Sequence, residues 1–324
     1  MAKRKKRWIN LDKISVIMSV YNEKKVWINQ SIESIINQTY KNIEFIIVLD
    51  NPDNEDIKRL LKFYEEQDNR IKLIFNQKNM GLVKSLNIAL SECTGKYIAR
   101  MDADDICKLD RLSIQKKYLE TNNLDFVFSS MIIIDEESNE LYSTNMEQLD
   151  YKQVKSYLEK GNISTHPTWF LKAEVYNSLN GYRTINSCED YDFILRALKK
   201  EFKIGKIGQN LLQYRIRNNS ISRSSSLEQF LNSRGILKLY KNNNLEKDKN
   251  LFEVLQQSKL KSSKHESQKF LKANNKYYQG VFLFKNNSKL KGIFIIFCCL
   301  FESKYFVLKM IDTLKYKILT LKLF

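Results

Sequence analysis

Apolar and polar residues form alternating blocks in the first third of the chain, and the blocks predict strands that alternate with helices. Three continuous apolar runs, Ile14–Val20, Ile43–Leu49 and Ile71–Phe75, predict short buried strands, and residues 97–101 predict a fourth. The segments between these runs carry apolar residues at helical spacing, as in residues 81–93. Strands that are apolar on both faces and alternate with helices indicate a parallel sheet covered by helices on both sides.

Polar side chains follow each of the four predicted strands. Glu23, Asp50 and the segment 102–105 are acidic or mostly acidic, and the segment 76–79 contains three amides. Because the carboxyl ends of parallel strands meet at one edge of a sheet, we expect these loops to form one ligand-binding crevice. Loops are generally polar, but that tendency does not explain an acidic residue after three strands out of four.

The most unusual stretch is the end of the fourth predicted strand, where Asp102, Asp104 and Asp105 fall within four residues. Carboxylates this close repel one another and resist burial unless a cation or hydrogen bonds offset the cost. Mg²⁺ and Mn²⁺ prefer carboxylate oxygens and leave coordination positions open for substrate phosphates. The segment therefore predicts a metal–diphosphate site. The alternative is an acidic turn that caps the helix expected to begin near Asp110.

No phosphate-binding glycine motif accompanies these loops. The sequence contains neither G-x-G-x-x-G after a strand nor G-x-x-x-x-G-K-[ST]. A dinucleotide fingerprint and a P-loop are therefore excluded, and we expect the acidic residues to hold phosphates through a metal.

Further elements are predicted downstream. Residues 110–122 and 151–159 predict helices, 124–134 predict a strand with a bend at residues 129 and 130, and 169–171 predict a short strand.

Two acids, Glu189 and Asp190, open a helix predicted over residues 191–200. Acidic residues at a helix N-terminus stabilise it through capping and the helix dipole. The alternative is that one of them is a catalytic carboxylate that points into the crevice.

Charge and cysteine content indicate the kind of cellular compartment in which the protein works. The 324 residues carry 54 basic and 37 acidic side chains, a formal charge of +17, and five scattered cysteines without metal-type spacing. An odd number of unpatterned cysteines indicates a reducing compartment. The basic start lacks the apolar core of a signal sequence, and the longest apolar run, 292–301, is far shorter than the roughly 20 residues that span a bilayer.

The C-terminal region is basic and aromatic. Residues 268–324 hold eleven lysines and two acids, a net charge of +9, with Tyr and Phe interleaved. This pattern is typical of helices that lie in an anionic membrane interface. The alternatives are a helical tail packed on the catalytic domain and, with less support, nucleic-acid binding. Residues 240–265 are rich in Lys, Asn and Ser and are the best candidate for a linker.

Five segments together resemble a known family: residues 14–23, 46–50, 79–82, 100–105 and 189–192. Each is weakly specific, but they occur in the order found in family 2 glycosyltransferases of the GT-A fold, and the resemblance covers residues 13–222. It implies an inverting transferase that uses a nucleotide-diphosphate sugar, most often UDP-linked, with Mn²⁺ or Mg²⁺.

The resemblance also implies roles for individual residues. Asp190 matches the general base, with Glu189 as its catalytic neighbour, and Asp104 matches the more direct metal ligand, with Asp102 beside it. The residues implied in donor binding are Val20, Tyr21, Glu23, Asp50, Asn79, Gly81, Arg100, Asp102, Ala103, Asp104 and Arg217.

The chain departs from the family pattern in two places. Relatives often carry Ala-Arg-Asn after the Asn-x-Gly segment, where this chain has Ser85-Leu86-Asn87. Relatives also often carry a metal-binding His where this chain has Arg217. A guanidinium cannot ligate a cation but can pair with a phosphate. The third metal ligand therefore stays open, and we expect His166 to have a structural or acceptor-side role rather than to bind metal.

These observations predict an α/β protein with a GT-A catalytic domain over residues 1–225 and a basic helical extension over residues 226–324. Residues 13–105 would form the nucleotide-sugar half and 106–225 the acceptor half. The chain lacks the Gln-x-x-Arg-Trp signature of processive relatives, so we expect transfer of a single sugar to a glycan or lipid-linked acceptor. The expected location is the cytoplasm, peripheral on the inner face of the cell membrane, in capsule, O-antigen or lipooligosaccharide synthesis.

Two other functions compete with the transferase. One is a catalytically degenerate scaffold on the membrane, which the Arg217 departure favours and the retained acids disfavour. The other is a haloacid-dehalogenase-type phosphotransferase, for which the Asp102-Ala103-Asp104 segment is a superficial match. Such enzymes carry their first Asp after the first strand, whereas Asp102 follows the fourth.

Overall fold

The computed structural model describes residues 12–144, 146–185, 187–217, 226–285 and 288–322, with the side chains of residues 285 and 315–322 excepted. The chain divides into two compact units. Unit 1 comprises residues 1–149, 165–182 and 202–215, and unit 2 comprises residues 150–164, 183–201 and 216–324.

Unit 1 is built on one nine-stranded mixed sheet. Its strands are β1 (Ile14–Val20), β2 (Ile43–Leu49), β3 (Ile71–Phe75), β4 (Tyr97–Asp102), β5 (Ile106–Cys107), β6 (Phe126–Ile134), β7 (Glu140–Ser143), β8 (Phe170–Lys172) and β9 (Ile204–Arg215). Its helices are α1 (Lys25–Ile36), α2 (Glu55–Gln67), α3 (Leu82–Ser91), α4 (Arg111–Thr121) and α6 (Ala173–Leu179), with one turn of 3₁₀ helix at His166–Thr168.

The first four strands are parallel, as predicted, and they lie in the order β3-β2-β1-β4. The core residues of β1 and β2 are almost wholly buried, which is why both strands are continuously apolar. β8 continues the sheet antiparallel to β4 and β6, and β9 runs parallel to β6 and antiparallel to β5. This topology places the ends of β1, β2, β3 and β4 at one edge of the sheet.

Local chemistry explains where several elements begin and bend. The Asn54 side chain accepts a 3.1 Å hydrogen bond from the Ile57 amide and so caps α2, whose first turn is acidic. The bend expected at residues 129 and 130 is confirmed, because the pairing of β6 with β9 shifts register between Ser129 and Met131.

Unit 2 is helical in its described part. Its helices are α5 (Tyr151–Leu158), α7 (Glu189–Lys199), α8 (Ser226–Lys241), α9 (Asp248–Lys261), α10 (Lys264–Lys285), α11 (Lys289–Glu302) and α12 (Lys304–Lys322). The α5 helix begins with a capping box in which Asp150 and Gln153 exchange hydrogen bonds with each other's backbone amides.

The linker predicted over residues 240–265 is wrong, because α9 occupies most of it. Leu245, Leu251 and Ser258 are buried, whereas all the lysines of this segment are exposed, as expected for a helix that packs along one side. The C-terminal helices share an apolar core whose buried members are Leu227, Phe270, Ala273, Cys299, Tyr305 and Phe306. None of the helices in the described ranges is long and apolar enough to cross a membrane.

Candidate functional site

The loop after β1 carries an exposed aromatic ring held by a local turn. Val20 is fully buried at the end of β1, whereas the next residue, Tyr21, is 43% exposed. The Glu23 carboxylate accepts a 2.8 Å hydrogen bond from the Tyr21 amide and fixes the backbone of this turn. The arrangement leaves the Tyr21 ring at the edge of the sheet, where it can stack on a planar ligand.

The Asp50 carboxylate fastens the β3–α3 loop to the end of β2. Asp50 is buried, and its oxygens accept hydrogen bonds from the Asn76 side chain at 2.7 Å, the Met80 amide at 2.7 Å and the Gly81 amide at 2.8 Å. Hydrogen bonds to an ionised carboxylate are stronger than neutral ones. Asp50 therefore orders the loop that carries Asn79, besides any contact it makes with a ligand.

Glycine is required at position 81 by backbone conformation rather than by crowding. Gly81 has a φ of +82°, which other residues rarely adopt, and a Cβ added there would meet nothing within 4 Å among the described residues. Its amide also lies 3.0 Å from the Asn79 side-chain oxygen. The loop thus presents Asn79 and open backbone directly before α3.

The acidic cluster, defined as Asp102, Asp104 and Asp105, is a compact group of carboxylates at the end of β4. One carboxylate oxygen from each of the three lies within 4.8 Å of the others. Asp102 forms an ion pair with Arg100, a guanidinium that is 1% exposed, and the Ser31 hydroxyl donates a 2.9 Å hydrogen bond to the Asp102 carbonyl. Burial lowers the pKa of Arg100, but Asp102, Tyr182 and Tyr176 together outweigh burial and raise this pKa above its ordinary value.

Arg215, at the end of β9, holds the other two acids in place. Its Nε donates to the Asp104 carbonyl at 2.8 Å, and its backbone amide donates to Asp105 Oδ1 at 2.9 Å. The same guanidinium lies 5.3 Å from the centre of the Trp27 ring. The sequence reasoning missed this role, because Arg215 is 110 residues from Asp105 along the chain and no local pattern links them.

The donor set of the acidic cluster fits a hard divalent cation. Asp105 is fully buried, and its Oδ2 has no hydrogen-bond partner in the described structure. Burial, then the charges of Asp104 and Asp102, raise the pKa of Asp105 well above its ordinary value. A cation among these oxygens would remove both the repulsion and the unsatisfied acceptor, as expected for Mn²⁺ or Mg²⁺ bound by carboxylates.

His166 belongs to a buried aromatic network. Its Nε2 lies 2.7 Å from the Tyr182 hydroxyl, which in turn lies 2.7 Å from the Tyr176 hydroxyl, and its ring is 4.5 Å from the centre of the Trp169 ring. Burial and the nearby Arg100 charge hold the pKa of His166 well below its ordinary value. These contacts indicate a neutral, structural histidine, in line with the role expected from the sequence.

Unit 2 carries Glu189 and Asp190 in the first turn of α7. Asp190 Oδ2 accepts a 2.8 Å hydrogen bond from the Asn162 side chain, and Oδ1 accepts a 2.7 Å bond from the Tyr191 amide. Glu189 is buried. Burial raises the pKa of Asp190, partly offset by the two hydrogen bonds. The Tyr191 amide belongs to the first turn of α7, so Asp190 satisfies one of the backbone donors left free at a helix N-terminus.

The predicted site residues are thus distributed over both units. Unit 1 brings together Val20, Tyr21, Glu23, Asp50, Asn79, Gly81, Arg100, Asp102, Ala103 and Asp104 at the edge formed by the ends of its parallel strands. Unit 2 contains Glu189, Asp190 and Arg217, the last lying two residues beyond β9.

Comparisons with known proteins identify relatives of the chain. Residues 15–179 match the family described as glycosyl transferase family 2. An uncharacterized glycosyltransferase of Methanocaldococcus jannaschii is 40% identical over 213 residues, which cover 65% of this chain and 73% of the relative. The Escherichia coli O-antigen biosynthesis glycosyltransferase WbnJ is 35% identical over 237 residues, 70% of this chain and 92% of the relative. The putative glycosyltransferase EpsE of Bacillus subtilis is 35% identical over 215 residues, which cover 64% of this chain and 74% of the relative.

The fold also resembles a solved structure. The crystal structure of S. aureus TarS superposes with a TM-score of 0.56 at 16% sequence identity, over 88% of this chain and 54% of TarS. The structure of TarS residues 1–349 gives the same TM-score and is covered to 89%. The predicted GT-A α/β fold with a helical C-terminal region is therefore confirmed.

Proposed function

Because this chain belongs to glycosyltransferase family 2, we propose that it is an inverting, non-processive enzyme that transfers one sugar from a UDP-sugar to an acceptor hydroxyl. The single observation that carries the proposal is the acidic cluster at the end of β4, held by Arg100 and Arg215. Family membership leaves the phosphotransferase alternative without support.

The donor would bind along the strand ends of unit 1. Tyr21 would stack on the base, with Val20, Glu23 and Asp50 forming the nucleoside pocket. Asn79 and Gly81 would lie beside the ribose and diphosphate, next to Ala103. The exposed Tyr21 ring and the ordered, positive-φ backbone at Gly81 support this assignment.

Mn²⁺ or Mg²⁺ would be held by Asp104, with Asp102 supporting it or contacting the ribose. When bound, such a cation neutralises charge on the diphosphate. Arg100 would orient Asp102 through their ion pair, and Arg217 would pair with a phosphate through its guanidinium.

The chemical step needs a base on the acceptor. Asp190 would take the proton of the acceptor hydroxyl while that oxygen bonds to the anomeric carbon and the bond from this carbon to the diphosphate oxygen breaks. Attack from the face opposite the leaving UDP inverts the anomeric configuration. The raised pKa of Asp190 and its fixation by Asn162 support the role, with Glu189 as a neighbour that shapes the site.

The proposed acceptor is a glycan or lipid-linked saccharide in surface polysaccharide synthesis, and the proposed location is the cytoplasmic face of the cell membrane. The similarity to an O-antigen enzyme supports the first, and the net charge of +9 over residues 268–324 supports the second.

UDP release tests the proposal. The protein is incubated with a panel of UDP-sugars, Mn²⁺ and bacterial membrane extract as the source of acceptor, and UDP is measured alongside UDP–Mn²⁺ affinity by calorimetry. We expect the wild type to release UDP. Asp104→Ala should lose metal-dependent UDP binding, whereas Asp190→Asn should keep binding and lose turnover.

Asp110→Asn is the matched control, because Asp110 is an exposed acid five residues after the cluster in the sequence and makes no side-chain cap. It should behave as the wild type. UDP binding without release from any donor would favour the degenerate scaffold instead. Unchanged turnover in Asp190→Asn would leave that carboxylate with capping as its function.

A further inference from the structure

The outward side of α11 is an exposed apolar stripe. Leu290, Ile293, Phe294, Phe297 and Phe301 are 87%, 53%, 66%, 56% and 77% exposed. Apart from the adjacent pair Ile293 and Phe294, they follow one another at steps of three or four residues, so all five share one face of the helix. Five large apolar side chains on one face exceed the scattered exposure that is normal for a protein surface.

The stripe belongs to a tightly packed helical hairpin. A Cβ added at Gly292 in α11 would lie 2.6 Å from the Gly280 carbonyl oxygen in α10, so the two backbones touch at this crossing. Cys299 is buried on the side of α11 that faces the core of unit 2. The apolar stripe is therefore presented by a rigid support.

The charges around the stripe are positive. Lys289 and Lys291 lie at its N-terminal end and Lys304 just beyond its C-terminal end. Glu302, the acidic residue of α11, is already engaged by Lys272 at 3.2 Å and by Lys276. Two copies of such a surface would repel each other, whereas an anionic surface would attract it.

We propose that this face of α11 inserts into the interface of an anionic lipid bilayer. The inference rests on the proposed peripheral location and names the surface responsible for it. Fourteen helical residues span about 21 Å, less than the roughly 30 Å hydrocarbon thickness. α11 therefore lies in the plane of the membrane, with its Phe side chains among the acyl chains and the flanking lysines at the headgroups.

Vesicle co-sedimentation tests the proposal with the full chain. The vesicles contain one part phosphatidylglycerol to two parts phosphatidylcholine, with pure phosphatidylcholine vesicles for comparison. The test variant is Phe294→Ser/Phe297→Ser. The matched control is Phe252→Ser, which changes a 60% exposed phenylalanine on α9 in the same unit. UDP–Mn²⁺ affinity and the far-UV spectrum are measured for each protein.

We expect the double variant to lower the partition coefficient on anionic vesicles at least about tenfold, because two aromatic side chains leave the interface. Phe252→Ser should stay within about twofold of the wild type, since it removes no side chain from the stripe. All three proteins should bind UDP alike, which separates this proposal from the proposed catalysis.

Three results would overturn the inference. Wild-type protein that stays in the supernatant with anionic vesicles would remove the membrane as partner. Equal binding by the wild type and the double variant would move the contact to another surface. Self-association of the wild type without vesicles, abolished in the double variant, together with unchanged vesicle binding would identify the face as an interface between two copies.

Discussion

Replacing Arg215 by methionine should both destabilise unit 1 and weaken UDP–Mn²⁺ binding. The side chain is 2% exposed and connects three segments: the acidic cluster, the loop after β6, and α1. Methionine keeps an apolar stem against Trp27 but removes every donor. The change therefore isolates the hydrogen bonds and the charge from the packing.

The expected loss in the free energy of unfolding follows from the hydrogen bonds of Arg215. The guanidinium donates five hydrogen bonds, of 2.8 Å to the Asp104 carbonyl, 3.0 and 3.2 Å to the carbonyls of residues 135 and 136, 2.9 Å to the Ser138 hydroxyl and 2.8 Å to the Gln30 side chain. At about 0.5–1.5 kcal/mol each they would sum to more than 2 kcal/mol. Water can reach the half-buried loop after β6 and replace some of these hydrogen bonds in the variant. We therefore expect a loss of about 2–4 kcal/mol in the free energy of unfolding.

Urea unfolding and calorimetric titration with UDP and Mn²⁺ measure the two effects. Arg59→Met is the matched control, because it removes an arginine of the same unit whose side chain is 75% exposed. We expect it to leave the free energy of unfolding within about 0.5 kcal/mol of the wild type, as for most surface substitutions, and UDP affinity unchanged. If Arg215→Met and Arg59→Met were equally stable, the clamp assigned to Arg215 would be refuted. If Arg215→Met lost stability but kept wild-type UDP–Mn²⁺ affinity, the clamp would not position the acidic cluster.

Three further predictions concern single carboxylates and the buried histidine. Asp50→Asn should lower the free energy of unfolding by about 1.5–3 kcal/mol in urea titrations, because an amide cannot accept all three hydrogen bonds made by the carboxylate. His166 has a lowered pKa, so below about pH 6.5 the unfolded chain binds a proton that the folded protein does not. Thermal denaturation should thus show stability falling from pH 7 to 5, less steeply in His166→Gln. Because the pKa of Asp190 is raised, the decrease of kcat/KM with falling pH should begin at a higher pH than for a base with an ordinary aspartate pKa. The residual activity of Asp190→Asn should not show this pH dependence.

The parallel half of the sheet could be predicted because its physical signal is local. Buried parallel strands are continuous apolar runs, and β1, β2 and β3 have the predicted bounds. The helix predicted over residues 191–200 begins two residues earlier, at Glu189, since acids at a helix N-terminus are compatible with either boundary.

The antiparallel half and the supports of the site could not be predicted in the same way. The two-residue strand β5 exists only through its pairing with β9, which is distant in sequence, and neither strand was predicted. The strand predicted over residues 169–171 is confirmed as β8, which begins one residue later. The clamp from Arg215 to the acidic cluster and the bonds from Asp50 to the β3–α3 loop depend likewise on which loops the sheet brings together. A cluster of carboxylates can be recognised from the sequence because its members are adjacent in the chain. The groups that orient these carboxylates can be identified only from the three-dimensional structure.

The backbone contact between Gly280 and Gly292 has a consequence for how the C-terminal hairpin meets a surface. Many membrane-binding helices are unfolded in water, and the cost of ordering them is subtracted from their affinity. Here the backbones of α10 and α11 are already in contact, and the conformational entropy of both helices was lost when the protein folded. Docking on lipid should therefore leave the helical content unchanged, and the affinity should depend on the shape and orientation of a preformed wedge.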